Sequence, residues 1–239
     1  MGVVLVHGGG FAASCWELVL PLLETPAIAV DLPGRGSRPG DLAEITVDDF
    51  AAAVVADIEA TGWDQVVLVG HSLAGITLPR VADLVPERLA HMVFVACTVP
   101  AQGRSTLEAL DGDLRDRAQA RVAGGADQQV DRHSTVGLLA NDLDEGQVDY
   151  MLGRMVPEAP AAITAPSDLS GLAHPIGRTW VRCLRDAIVP VAVQDRYIIE
   201  LGGAAGVDVV DLDAGHMAMI GRPGELAGIV DGVAARTLT

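Results

Sequence analysis

One ten-residue stretch, Val66–Gly75, constrains the fold of this chain most strongly. Four apolar residues, Val66–Val69, run straight into Gly70, His71 and Ser72, and a helix-like apolar pattern follows. This order predicts a buried strand, a sharp turn at the serine and then a helix. Such a turn presents the hydroxyl group clear of the backbone at the carboxyl edge of a sheet. The flanking residues must be small because strand and helix pass closely there.

The stretch departs at one position from the pattern Gly-x-Ser-x-Gly that is typical of such a turn. Ala74 stands where the last glycine is expected, and Gly75 follows it. Alanine is still small, so we expect the turn to form. A turn of this kind can also join a strand to a helix without any catalytic role, so a reactive serine needs partners elsewhere in the chain.

Short apolar segments alternate with helical patterns along most of the chain. This alternation predicts an α/β fold with a mostly parallel, six-stranded sheet and helices on both faces. The predicted strands are Val3–Val6, Ala27–Val30, Val66–Val69, Met92–Val95, Thr179–Arg182 and Val207–Leu212. The predicted helices run from about Ser14 to Pro26, from Thr46 to Thr61, after Ser72 with a kink at Pro79, and from about Gly224 to Leu238.

Residues 100–175 interrupt this alternation and contain no strong strand pattern. The segment follows the fourth predicted strand, so it lies at the carboxyl edge of the sheet, where ligands bind in open α/β folds. We therefore expect a helical lid over 100–175 and a core made of residues 1–99 and 176–239. A surface excursion with no role in binding is the alternative, but long insertions in compact domains are usually functional.

Two helical patterns lie within the predicted lid. The first runs from Ser105 to Val122 and opens with a capping box in which Ser105 pairs with Glu108. The second runs from about Asp144 to Met155.

Composition limits the partners of this chain. The net charge is −16 with a pI near 4.5, which argues against nucleic acid, since phosphate binding requires clustered Lys and Arg. No apolar run reaches the length of a membrane span, and the short apolar N-terminus lacks the basic flank of a signal peptide. We expect a cytoplasmic protein that binds a small apolar molecule and neither nucleic acid nor a membrane; a homodimer is left open.

The three cysteines, Cys15, Cys97 and Cys183, are widely spaced and odd in number. They show neither a disulfide framework nor metal-ligand spacing, so buried free thiols are expected. No cluster of His, Cys and Asp has the spacing of a metal site. The glycines at 8–10 lack the spacing of a dinucleotide-binding loop. The sequence therefore predicts no metal and no cofactor.

A reactive serine needs a base, and the base needs an acid that orients it. Asp186 follows the fifth predicted strand and His216 follows the sixth, at the same sheet edge as Ser72. The 30 residues that separate them leave room for one helix and one strand. We predict that His216 takes the proton of Ser72 and that Asp186 orients His216. The alternatives for the acid are Asp195, Asp211 and Asp213.

Acyl chemistry at a serine also needs two N–H donors for the negative oxygen of the tetrahedral intermediate. The N–H of Leu73, directly after the serine, is one candidate. The other is expected from the glycine-rich loop after the first strand, where Gly9 is preferred and Gly10 is second, because glycine lets a backbone approach closely. An ordinary turn is the alternative for this loop.

Residues of the predicted lid and of the loops around Ser72 are candidates for the substrate pocket. Apolar lid residues and neighbours of the predicted site favour an apolar pocket, while core packing explains the methionines and the tyrosine equally well. The candidate pocket residues are Gly10, His71, Tyr150, Met151, Met155 and Met217.

These motifs resemble the α/β-hydrolase superfamily and, more narrowly, the branch that contains plant methyl-ester esterases and hydroxynitrile lyases. The resemblance implies a triad of Ser72, Asp186 and His216, an oxyanion hole from Gly9 and Leu73, a helical lid and no cofactor. The pieces that carry it occur in the right order over nearly the whole chain: Val4–Gly9, Trp16, Asp31–Gly36, Gly70–Leu73, Asp186 and Gly215–His216.

The function predicted from these residues is hydrolysis of a small to medium apolar carboxylic ester, lactone or thioester through an acyl-enzyme. The first alternative is a lyase or another non-hydrolytic reaction on the same triad. The lid offers no cation that we can assign to holding a substrate, such as the lysine of some hydroxynitrile lyases, and this disfavours a lyase. The second alternative is a ligand-binding receptor on the same fold, against which a complete triad argues.

Overall fold

A computed structural model describes residues 1–110, 112–124, 132–203 and 206–238 of the protein. At its centre is a six-stranded sheet in the order β2-β1-β3-β4-β5-β6, and every neighbouring pair is parallel. The predicted α/β fold is therefore confirmed, with a sheet that is parallel throughout. The strands are β1 Gly2–Val6, β2 Ala27–Val30, β3 Val66–His71, β4 Leu89–Val95, β5 Gly177–Cys183 and β6 Asp208–Leu212.

Helices cover both faces of this sheet and bury two apolar clusters. Alternation along β1 shows the arrangement: Val4 and Val6 belong to one cluster, and Val3 and Leu5 to the other. The α-helices are α1 Val47–Ala60, α2 Leu78–Leu84, α3 Thr106–Ala109, α4 Gly112–Gly124, α5 Arg132–Leu139, α6 Glu145–Leu152, α7 Ala161–Thr164, α8 Val191–Glu200, α9 Ala218–Gly221 and α10 Pro223–Thr237.

Local capping signals set the starts of three helices. The side chain of Thr46 accepts from the N–H of Asp49 at the start of α1, which forms as predicted. Ser105 and Glu108 form the predicted capping box of α3. Asp144 caps α6 in the same way, with Gln147 as its partner. These starts depend on contacts three residues apart, which is why the sequence reveals them.

The predicted helix over residues 14–26 is wrong. Two short 3-10 helices, Ala13–Trp16 and Leu20–Leu22, occupy that region instead. Pro21 explains the break, because proline lacks an N–H and its ring clashes with the carbonyl group one turn earlier.

The helix predicted over residues 105–122 is also divided, into α3 and α4. Leu110 is extended at the end of α3, and Gly112 has a φ of +52°, a backbone conformation that favours glycine and stops a helix. The second predicted lid helix is shorter than expected: α6 ends at Leu152, with Gly153 as its C-cap, instead of continuing to Met155.

The described part of the segment between β4 and β5 contains five α-helices, α3–α7, and a 3-10 helix, Ser170–Ala173. Two residues of this segment form hydrogen bonds to the loops that follow β5 and β6. The Asn141 amide donates to the backbone oxygen of Arg185 at 2.8 Å, and the Asp142 carboxylate accepts from the N–H of Gly215 at 2.7 Å. The division into a core and a lid remains a prediction.

All three cysteines are buried and free. Burial raises the pKa of each thiol, which makes these side chains poor nucleophiles. Within the described ranges, no helix is both long and apolar enough to cross a bilayer.

Candidate active site

Ser72 occupies a strained turn at the carboxyl end of β3. Its φ is +52°, which is rare for a residue with a side chain and is typical of functional sites. A 3-10 helix, Ser72–Ile76, begins at this residue and leads into α2. The predicted kink at Pro79 is wrong: Pro79 lies in the first turn of α2, where its missing N–H costs nothing. The predicted order of strand, turn and helix is present.

Small residues allow the strand and the helix to pass each other at this turn. A Cβ built on Gly70 would lie 2.9 Å from the Cβ of Ala74 and 2.6 Å from a methyl group of Leu78. A Cβ built on Gly75 would overlap the backbone oxygen of Thr98. Alanine is therefore accommodated at position 74 because its neighbour is Gly70, whereas position 75 requires glycine.

Replacing Gly75 by alanine is expected to lower the free energy of unfolding by about 1–3 kcal/mol, the usual cost of overpacking. The added methyl group would push against a backbone atom, which cannot rotate away as a side chain can. Gly228→Ala is the matched control, since a Cβ there meets no described atom within 4 Å, and it should stabilise α10 by about 0.5–1 kcal/mol. Urea denaturation measures both; equal effects of the two substitutions would contradict the argument.

A chain of two hydrogen bonds joins Ser72, His216 and Asp186. The Oγ atom of Ser72 lies 2.9 Å from Nε2 of His216, and Nδ1 of His216 lies 2.7 Å from Oδ2 of Asp186. A carboxylate only accepts, so Nδ1 carries the ring proton and Nε2 is left to accept the serine proton. The loops after β3, β5 and β6 bring the three side chains to one sheet edge, with α8 between Asp186 and β6.

Backbone donors hold the carboxylate of Asp186 in place. Its Oδ1 accepts from the N–H groups of Ile188 and Val189, both at 2.8 Å. The alternative acids point elsewhere. Asp195 and Asp211 pair with Arg182, and Asp213 pairs with Arg185.

His71 supports His216 from behind. Its Nε2 donates to the backbone oxygen of His216 at 2.9 Å, and the two rings lie 4.7 Å apart. Burial, together with the neighbouring His216, holds the pKa of His71 well below its ordinary value, so the ring is neutral. His71 thus orients the backbone of the candidate base rather than exchanging a proton itself.

The glycine loop after β1 packs directly against the serine turn. A Cβ built on Gly8 would lie 2.8 Å from the Cβ of Ser72, and one built on Gly9 would overlap the side chain of Leu73. The N–H of Gly10 already donates to Glu158 at 2.9 Å. Among the described residues, the N–H groups of Gly9 and Leu73 have no acceptor. This leaves Gly9, rather than Gly10, free to donate to a bound oxyanion.

His7 orders the same loop. Its Nδ1 donates to the backbone oxygen of Gly8 at 2.9 Å, and its Nε2 accepts from the N–H of Leu32 at 3.2 Å. Burial lowers the pKa of His7 to about 4; the bond to Gly8 opposes this and nearby Arg35 adds to it. The ring therefore stays neutral at neutral pH, as this hydrogen-bonding pattern requires.

The free energy of unfolding is expected to fall as the pH is lowered from 6.5 to 4. His7 binds a proton near pH 6.5 when unfolded but only near pH 4 when folded, so in this range the unfolded state binds more protons. The shift corresponds to a loss of about 3 kcal/mol. Urea titrations across this range measure it, and His7→Asn should flatten the slope. A slope unchanged in that variant would contradict the assignment to His7.

An apolar cavity of about 290 Å³ lies over Ser72 and His216. Three of the predicted pocket residues line it: Gly10, His71 and Met155. Most of the lining surface is apolar, and seven of the other lining residues have large apolar side chains: Phe11, Leu73, Leu110, Leu138, Leu139, Ile163 and Ile188.

Three predicted pocket residues do not line this cavity. Met151 and Met217 are fully buried in the apolar cluster that contains Val3 and Leu5, and Tyr150 packs against the same cluster. The hydroxyl of Tyr150 lies 3.3 Å from the carboxylate of Glu17, with Arg154 over its ring. Core packing, the alternative kept open above, accounts for all three.

Sequence reasoning missed two charged residues of the cavity. Arg117 of α4 is an exposed cation among the lining residues, so the predicted lid does bring a cation to the pocket. Glu158 lines the cavity beside the glycine loop and is bound to Arg35. No local pattern marked either residue, because each acquires its role from segments distant in the chain. Within the described ranges, no group of three His, Cys, Asp or Glu side chains could hold a metal.

Comparison with known proteins identifies the family of this chain. The Alpha/beta hydrolase family is matched over residues 3–229. The chain is 29% identical to Methylesterase 9 of Arabidopsis thaliana, over 93% of this chain and 94% of that protein. It is 31% identical to Lipase LipV of Mycobacterium tuberculosis, over 95% and 91%. The solved structure of an extracellular alpha/beta-hydrolase from a Paenibacillus species superimposes with a TM-score of 0.84 at 19% identity, over 95% and 96%.

The match covers nearly the whole chain, and the protein belongs to the alpha/beta hydrolase family. It is an enzyme of the carboxylic ester hydrolase class. The resemblance inferred from the sequence motifs, including that to plant methyl-ester esterases, is confirmed.

Proposed function

We propose that the protein hydrolyses small to medium apolar carboxylic esters through an acyl-enzyme formed on Ser72. The observation that carries this proposal is the hydrogen-bonded chain from Ser72 through His216 to Asp186, beside an apolar cavity of about 290 Å³. A methylesterase and a lipase among its relatives support an ester as the bond that is cleaved.

In the first half of the reaction, Ser72 Oγ attacks the ester carbonyl carbon and its proton passes to Nε2 of His216. The negative oxygen of the tetrahedral intermediate accepts from the N–H groups of Gly9 and Leu73. The carbon–oxygen bond to the alcohol then breaks, and His216 returns the proton to the leaving oxygen. Asp186 stabilises the imidazolium ion that exists between these two transfers.

In the second half, water attacks the acyl group on Ser72 and gives its proton to His216. The same two N–H groups hold the second oxyanion. Collapse of this intermediate releases the carboxylic acid, and His216 returns the proton to Ser72 Oγ. Each step uses the same hydrogen-bonded geometry, so no further catalytic group is needed.

The cavity supports an apolar substrate of limited size. Its volume lies near the lower end of the range for ligand pockets. The apolar side chains that line it bury hydrocarbon favourably, while the hydroxyl groups of Thr98, Thr106, Ser134 and Thr135 also line it. An acyl or alcohol group of several carbons fits this space; lactones and thioesters present the same reactive carbonyl.

A serine-directed fluorophosphonate tests the proposal, followed by a chain-length series of aryl esters. The parent protein is expected to be labelled, and Ser72→Ala is expected to lose the label. Ser134→Ala, which removes another hydroxyl group of the same cavity, is the matched control and should keep it. Turnover should peak at one acyl length, and that length measures the size of the acyl group that the cavity accommodates.

Other outcomes would favour other functions. A folded parent that is not labelled, yet is stabilised against heat by ligands, would support a receptor. Labelling without ester turnover, combined with release of an aldehyde from a cyanohydrin, would support a lyase. Either result would overturn the proposed hydrolysis.

A further inference from the structure

Two residues of the predicted lid form hydrogen bonds to the backbone of Gly10, in the glycine loop after β1. The N–H of Gly10 donates to Oε2 of Glu158 at 2.9 Å, and its carbonyl oxygen accepts from the N–H of Val156 at 2.8 Å. Glu158 also lies close to the preceding residue, since a Cβ built on Gly9 would be 3.2 Å from Oε2. The peptide groups on either side of Gly10 are thereby held in one orientation.

Glu158 is itself held by a buried cation. Arg35, in the loop after β2, donates to Oε1 at 2.5 Å and to Oε2 at 2.9 Å. The side chain of Arg35 is only 1% exposed and that of Glu158 only 6% exposed. Nη1 of Arg35 also donates to the backbone oxygen of Phe11, on the same glycine loop. A bidentate pair of this kind fixes direction as well as distance.

The charge balance of the pair is as relevant as its geometry. A carboxylate beside the site of a developing oxyanion would repel it, and little solvent is present to screen that repulsion. Arg35 neutralises the carboxylate, so Glu158 can accept from the loop without raising the barrier. Removing either partner of a buried pair leaves the other charge uncompensated.

We infer that Glu158, neutralised by Arg35, is a positioning residue for the oxyanion hole: it fixes the chain directly after Gly9, while His7 holds the peptide group that carries the N–H of Gly9 through the carbonyl oxygen of Gly8. This inference rests on the proposed ester hydrolysis. Glu158 belongs to the predicted lid and Arg35 to the core, and 123 residues separate them in the sequence. Docking of the segment around Glu158 therefore completes the oxyanion hole, beyond covering the pocket.

The test compares Glu158→Ala and Glu158→Gln with the parent. Glutamine keeps one oxygen for the N–H of Gly10, so it is expected to rescue part of the effect. Glu17→Gln is the control, since Glu17 forms another ion pair with the predicted lid, to Arg154, away from the glycine loop. All rates are normalised to the amount of serine that a fluorophosphonate titrates.

Two ketones separate positioning from general damage. A trifluoromethyl ketone forms a hemiketal oxyanion when Ser72 Oγ adds to its carbonyl carbon and the serine proton passes to His216. The methyl ketone of the same chain length binds in the pocket without a stable anionic adduct. Glu158→Ala is expected to lower kcat and trifluoromethyl ketone affinity together by about 10- to 100-fold, below the usual loss of an entire oxyanion donor. Methyl ketone affinity should change less than about two-fold, because it makes no use of the oxyanion donors.

Glu158→Gln should lie between the parent and Glu158→Ala, and Glu17→Gln should match the parent. If Glu158→Ala does not fold, Glu158→Gln carries the same comparison. Equal losses for both ketones, or kcat unchanged per titrated serine, would overturn the positioning role alone. A parent that neither hydrolyses esters nor forms the ketone adduct would overturn the proposed function and this inference with it.

Discussion

Replacing Ser72 by alanine is expected to lower kcat by about 10⁴-fold or more while the protein remains folded. The substitution removes the atom that attacks the substrate, and His216 can then activate only water. Alanine keeps the strained φ of +52° and loses one hydrogen bond, so the free energy of unfolding should change by about 1 kcal/mol at most. Steady-state ester hydrolysis and urea denaturation of the same preparation measure the two effects.

Ser72→Gly provides the control for the strained turn. Glycine adopts a positive φ without a steric penalty, so this variant should be at least as stable as Ser72→Ala and equally inactive. Turnover within ten-fold of the parent in either variant would contradict the role of Ser72 as nucleophile.

Replacing Asp186 by asparagine is expected to lower kcat by about 10⁴-fold with little change in the fold. The N–H groups of Ile188 and Val189 bind one carboxylate oxygen, so the amide oxygen must take that place and the NH₂ group must face His216. Nδ1 of His216 would then accept, and Nε2 would carry the proton. In this tautomer the ring cannot take the proton of Ser72.

Asp195→Asn is the matched control, because Asp195 follows the same strand but pairs with Arg182 at the surface. Its kcat should stay within two-fold of the parent. Stopped-flow measurement of product formation compares the variants at equal concentrations of titratable serine. Near-normal turnover of Asp186→Asn would contradict the assignment of the acid to Asp186.

Local patterns predicted the framework of this enzyme well. The apolar runs predicted the six strands. This signal is clearest in β1 and β3, which are buried along their whole length, because a strand buried on both faces must be apolar throughout; the edge strand β6 is mostly exposed. The turn at Ser72, the capping box at Ser105 and the helix start at Asp144 depend on residues a few positions apart. The placement of Asp186 and His216 followed from chain order, since the ends of parallel strands meet at one edge. Proline and glycine were harder to interpret, because Pro21 and Gly112 broke helices that the apolar spacing favoured.

The walls of the pocket depended on the tertiary structure. The sequence shows that residues 151 and 155 are both methionine. It does not show that Met151 packs into the core while Met155 faces the cavity. The partners of Gly10 were also hidden, because Glu158 lies 148 residues away. Chain order and local spacing thus determined the strands, the serine turn and the candidates for the triad. The tertiary structure decided the rest, because the side chains around the cavity and the residue that binds the glycine loop come from segments distant in the chain.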